Sequence, residues 1–117
     1  MMRDFILQKV NTAQKIEEIK NNQGENISLT DPDWEEINLF VEKVEGDFVP
    51  RLMEKFPQLS DSEKRFLILV RLKIPTKALS SIYGISEKSV RQKLYVFKSK
   101  VGIEGKDCTL RDFIEAF

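Results

Sequence analysis

Apolar residues recur along this chain at three- and four-residue steps almost from end to end, the periodicity of helices with one buried face. In residues 3–22 the stripe is Ile6, Val10, Ala13, Ile16 and Ile19, and the run ends near Asn21-Asn22-Gln23-Gly24. Residues 23–30 are polar, include a glycine and read as a linker. Thr30-Asp31-Pro32-Asp33 is a helix start, with Thr30 as cap, Asp33 at the reciprocal position and Pro32 in the first turn, where proline is tolerated. The helix that follows sets Trp34, Ile37, Phe40 and Val41 on one face and should stop before Gly46. Asp47 is expected to cap a short helix through Phe48, Leu52 and Phe56, with Pro50 in its first turn and Pro57 ending it.

The second half continues the pattern. Ser60-Asp61-Ser62-Glu63 is a capping box leading into Phe66, Leu67, Leu69, Val70 and Leu72. Pro75-Thr76 breaks that helix, and Thr76 is expected to cap a short one from Lys77 to Tyr83. Gly84 suits a tight turn, Ser86 caps a longer helix running to about Val101, and Gly102 ends it. Thr109-Leu110-Arg111-Asp112 is a further capping box, opening a last helix with Phe113, Ile114 and Phe117. No strand alternation, repeat or low-complexity tract appears. The expected fold is all-α: an N-terminal amphipathic, coiled-coil-like helix, then a compact multi-helix domain. It divides into an amphipathic dimerisation or linker helix (1–26), an acidic helical segment (27–58) and a domain over 59–117.

Within Thr76–Val101 the pattern is that of a helix-turn-helix. Leu79, Ile82 and Tyr83 form the buried side of the first helix, and the small Ser80 falls where the two helices cross. Gly84 permits a positive φ, and Ile85 is expected to bury the turn against the core. On the second helix Val90, Leu94, Phe97 and Val101 point inward, leaving Lys88, Arg91, Gln92 and Tyr95, with Ser99, on the opposite stripe. Arginine can bond guanine O6/N7 and glutamine adenine N6/N7, so this stripe has the chemistry for major-groove readout. Lys98 and Lys100 lie further along, where phosphates are the natural partners. Lys73, Thr76 and Lys77 sit at the start of the first helix, the end that approaches a DNA backbone in such dockings.

Composition narrows the chemistry. The 117 residues include no histidine, one cysteine (Cys108) and five glycines, none in a phosphate-cradling cluster. Histidine-based metal sites and nucleophile systems are excluded, an intrachain disulfide is excluded, and no enzymatic role or cofactor is expected. No apolar run nears the roughly 18 residues of a membrane span, and a reducing, cytoplasmic setting is expected. Nineteen basic and nineteen acidic residues cancel overall, but not locally. Residues 17–63 hold thirteen acids against four bases, whereas residues 64–102 hold ten bases against the single acid Glu87. Such a block fits a polyanion partner, and it fits a solvated basic face as well. Trp34 and the eight phenylalanines fall at helical spacing and read as core.

The run Leu59-Ser60, Glu63, then Thr76 through Arg91, closing with Lys100-Val101-Gly102-Ile103, resembles the LuxR/GerE-type DNA-binding domain. The likeness covers residues 59–103, with Ser80 in place of the usual alanine and Lys93-Leu94 in place of smaller or polar residues. The chain as a whole looks like the C-terminal part of large bacterial sensor-regulators, in which repeat-type sensory regions and a membrane segment precede a coiled coil and this domain. Trp34, Phe40, Phe48, Leu52, Phe56-Pro57, Tyr95 and Phe97 match that group. An amphipathic helix directly after Met1 agrees with a piece of a longer protein.

The resemblance implies a transcriptional regulator that binds double-stranded DNA sequence-specifically, with Arg91, Gln92 and Tyr95 facing bases. Together with the helix faces, the expectation is base contact by Lys88, Arg91, Gln92 and Tyr95, and backbone contact by Lys73, Thr76, Lys77, Ser86, Ser89, Lys98 and Lys100. A homodimer through residues 3–22 and contact with RNA polymerase are further expectations; no small-molecule ligand is. The alternatives are a domain like region four of sigma factors, or an interaction module that does not bind DNA.

Overall fold

The computed structural model describes residues 12–21 and 27–117, and every regular element among them is a helix. After a helical stretch over residues 12–20 (α1) come α2 (Asp31–Val44), α3 (Phe48–Lys55), α4 (Asp61–Arg71), α5 (Thr76–Tyr83), α6 (Glu87–Lys100) and α7 (Leu110–Ala116). None of the helices in this part is long and apolar enough to cross a membrane.

The helix starts follow from side chains that replace missing backbone partners. Thr30 with Asp33, Ser60 with Glu63, and Thr109 with Asp112 each form a reciprocal capping box. At α4 the Glu63 N–H donates to Ser60 Oγ at 3.2 Å, and the Ser60 N–H donates to Glu63 Oε1 at 2.9 Å. Caps of this kind each stabilise a helix by about 1 kcal/mol.

Two expected caps are not made. Asp47 precedes α3 but its backbone (φ −93°, ψ 19°) is not extended, and its carboxylate instead accepts from Arg51 Nε at 3.0 Å. Thr76 is the first residue inside α5, not its cap. Pro75 already holds the extended cap geometry (φ −70°, ψ 160°), which frees the Thr76 hydroxyl for a tertiary partner.

α4 is the centre of the molecule. Five consecutive residues, Phe66 to Val70, are buried, so the helix is covered all round and not along one stripe. α7 packs on α4 and on α6, α5 on α6, and α2 on α3. One continuous core joins Trp34, Ile37 and Val41 of α2, Phe48 and Leu52 of α3, the α4 run, and Val90 and Phe97 of α6. Phe40, expected in the same stripe, is only half-buried. Phe66 stacks against Phe97 with ring centres 4.8 Å apart, and Phe48 meets Phe117 edge to face at 5.9 Å.

Arg71 fastens this core to the junction of α2 with α3 and to α7. Its guanidinium lies over the Phe48 ring, pairs with Glu45 Oε2 at 2.9 Å, and donates to the carbonyls of Ile114 and Glu115 in the last turn of α7.

In α1, Ile16 and Ile19 are buried against the body, and Lys15 bridges Asp33 at 2.8 Å and Glu36 at 3.2 Å. The described part of the amphipathic stripe therefore packs within its own chain; Ile6 and Val10 lie outside the described residues.

Candidate nucleic-acid interface

The site begins where α4 ends. The Ile74 N–H donates to Leu69 O at 3.1 Å and the Lys73 N–H to Val70 O at 3.0 Å, a closing turn that puts Lys73 at φ 63°. That conformation normally belongs to glycine. After Pro75, α5 runs to Tyr83, and a three-residue turn, Gly84-Ile85-Ser86, leads into α6. Gly84 has φ 64°, as its place in the turn requires. The Ile85 N–H returns to Ser80 O at 3.1 Å. Ser86 caps α6 by accepting the Ser89 N–H at 3.1 Å, and the two hydroxyls lie 3.0 Å apart.

The expectation for Ile85 fails. Its side chain is 37% exposed, because the turn as a whole lies at the surface, with Gly84 and Ser86 exposed on either side.

α6 divides into two faces as its sequence pattern indicates. Val90, Phe97 and Val101 are buried and Leu94 is half-buried. Lys88, Arg91, Gln92, Tyr95 and Ser99 are all exposed, Tyr95 to 70%. The structure thus brings the four expected base-contacting residues together on one solvent-facing stripe, beginning at a serine-capped helix start.

The expected backbone-contacting residues are less uniform. Lys77 is exposed at the start of α5. Lys73 is exposed and 3.8 Å from Glu115. Thr76 is partly covered, its hydroxyl accepting from Arg111 Nη2 at 3.4 Å. Lys98 donates to the Lys106 carbonyl at 3.1 Å and lies over the Tyr95 ring. Lys100 is engaged elsewhere, 2.6 Å from Glu63 Oε2.

The ten cations of residues 64–102 differ in their partners, Lys98 being held by the Lys106 carbonyl and the Tyr95 ring. Lys64, Arg71, Lys73 and Lys100 pair with Asp61, Glu45, Glu115 and Glu63. Arg65 lies over Trp34, and Lys93 lies 4.3 Å from the centre of the Tyr83 ring and 4.9 Å from that of Phe66. The tyrosine under Lys93 is itself withdrawn from water, and burial pushes its hydroxyl up to about 12. Among the described residues Lys77, Lys88 and Arg91 make neither an ion pair nor a ring contact, and all three sit on α5 and the first half of α6. Acids at the end of α2, in α4 and in α7 thus take up four of the ten cations.

No family model, curated protein or solved structure matches this chain. What the site does must therefore come from its own chemistry.

Arg111 was not among the candidate residues read from the sequence. Its only signal there is a cation in a helix's first turn, against the helix dipole. The structure explains its position: it reaches across to Thr76 and is half-buried, and burial lowers the guanidinium below its ordinary value.

Proposed function

We propose that this chain is a sequence-specific double-stranded DNA-binding module of a transcriptional regulator, in which α5, the Gly84 turn and α6 act as a LuxR-type helix-turn-helix. The observation that carries the proposal is the outward stripe of α6. Lys88, Arg91, Gln92 and Tyr95 stand together in solvent, with neither cation paired among the described residues, on a helix anchored from behind by Val90 and Phe97. An unpaired arginine and a glutamine one residue on, near the start of an exposed helix, suit a guanine and an adenine in the major groove. Lys77 and Lys73, at the entrance to α5, hold the flanking phosphates, and Ser86 and Ser89 stand at the N-terminus of α6, an end that favours a phosphate. The module has no catalytic role, and its output passes through DNA and RNA polymerase as part of a larger, cytoplasmic-side regulator.

Two copies pairing through residues 3–22 would match paired half-sites. Ile16 and Ile19 of that stripe pack inside their own chain.

A protein-interaction module is the competing reading, and the exposure of Tyr95 (70%) and Val96 (54%) on α6 favours it. The unpaired cations beside them favour a polyanion. Selecting bound duplexes from a random pool, then comparing wild type with Arg91→Ala on the selected site, separates the two. A loss of about 1–3 kcal/mol confined to one position of the site is expected. Failure to enrich any sequence would end the sequence-specific reading.

A further inference from the structure

Beside the base-facing stripe, a groove of about 320 Å³ runs between α6 and α7. Arg91, Tyr95 and Lys98 line it from α6 and Arg111 from α7, over a floor of Leu94 and Leu110, and among the described residues no carboxylate lines it. Three cations therefore converge on one concave, partly apolar surface. Lys98 is held there by the Lys106 carbonyl. Arg111 is steadied by Thr76 Oγ1 at 3.4 Å. Glu115, one turn on in the same helix, lies 3.8 Å from Lys73 and acts on the Arg111 guanidinium only through its charge. A half-buried guanidinium with no carboxylate at ion-pair distance among the described residues has lost part of its hydration and keeps donors free for an anion, and its planar fork matches phosphate oxygens.

We infer that this groove receives a phosphodiester of the DNA strand flanking the bases read by α6, with Arg111 as its central ligand and Lys98 beside it. The inference rests on the DNA-binding proposal and extends the interface onto α7, a helix that the helix-turn-helix itself does not include. Arg91 and Tyr95 form the shared lip between the two surfaces, so a phosphate seated against Arg111 also fixes how far α6 is rotated in the major groove. Because the contact is to the backbone, it contributes equally on every sequence.

The test measures binding of wild type, Arg111→Gln and Arg111→Lys to a selected and an unrelated duplex by fluorescence anisotropy across a salt series. Thermal melts establish that each variant is folded. For Arg111→Gln, weaker binding by the same factor on both duplexes is expected, with the slope of log affinity against log salt shallower by about 0.9, the value of one phosphate contact. Arg111→Lys keeps the charge and should keep the slope. An unchanged slope in Arg111→Gln, or a loss confined to the selected duplex, overturns the inference while leaving the DNA proposal standing. Absence of wild-type binding to either duplex overturns both. In a parallel arm, inorganic phosphate replaces chloride at constant ionic strength. Phosphate that stabilises wild type but not Arg111→Gln, with DNA slopes equal, would make the groove a free-anion site and overturn the strand assignment.

Discussion

Lys100 Nζ lies 2.6 Å from Glu63 Oε2, tying the last turn of α6 to the capping residue of α4. Glu63 thereby serves two elements, closing its own helix start through the Ser60 N–H and holding the end of the candidate recognition helix. The Lys100 hydrogen bond first, and the Ser60 backbone second, hold its carboxyl below the ordinary glutamate value.

Lys100 therefore acts mainly between helices, although its position in the sequence suggests a phosphate contact. Lys100→Gln should leave the salt slope of DNA binding almost unchanged, whereas Lys77→Gln should reduce both affinity and slope by about one phosphate contact. Anisotropy on a single duplex across a salt series distinguishes them. Equal losses in the two variants would return Lys100 to the interface.

Lys73 offers a separation of stability from function. A non-glycine residue at φ 63° costs of order 1 kcal/mol, and its exposed pairing with Glu115 at 3.8 Å returns little. Lys73→Gly should leave the melting temperature unchanged or raise it by a few degrees, because the relief of strain roughly offsets glycine's greater unfolded-state entropy. The same variant should bind DNA more weakly with a shallower salt slope. A clear loss of stability would show that the lysine side chain holds the turn.

Acid should loosen α1 first. The Lys15 ammonium, followed by the Thr30 cap, lowers the Asp33 carboxyl to about 2. A carboxylate depressed on folding contributes stability that is complete above its unfolded value and disappears as pH falls through about 2. Lys15 is raised by the same contacts, so its share is intact below the ordinary lysine range and is lost only in strong alkali. The bridge is partly exposed and should be worth on the order of 1 kcal/mol. Emission from Trp34, the single tryptophan and the next residue along α2, reports the change. Lys15→Gln should remove most of the acid-dependent step; an unaltered pH profile would place its origin elsewhere.

Gly84 has open space where a Cβ would sit, so the cost of Gly84→Ala is conformational and not steric. A loss of about 1 kcal/mol is expected from the positive φ, measured by chemical denaturation. A larger drop in DNA affinity than in stability would show that the turn sets the angle between α5 and α6.

Features decided within a few residues were legible in the sequence. The capping boxes at Thr30, Ser60 and Thr109, the positive φ of Gly84 and Gly102, and the two faces of α6 depend on neighbours one turn away. Features decided by distant partners were not. Thr76 meets an arginine 35 residues on, and Arg71 meets Glu45 26 residues back. Counting charges along the chain put Arg71 and Lys100 in one positive surface with Lys88 and Arg91. Folding places carboxylates of the acidic segment on the first two and leaves the others bare. Asp47 shows the same competition locally, since Arg51 one turn on takes the carboxylate that a cap would need.

The most direct test of the central claim is fluorescence anisotropy of a labelled mixed-sequence duplex titrated with the chain at about 50 to 200 mM salt. Saturable binding that weakens steeply as salt rises is the expected result, since Lys77, Lys88, Arg91 and their neighbours would displace counterions from phosphates. A flat signal at roughly 100 μM protein in low salt, beyond the usual range of non-specific binding, would contradict it and assign the basic face to a protein partner.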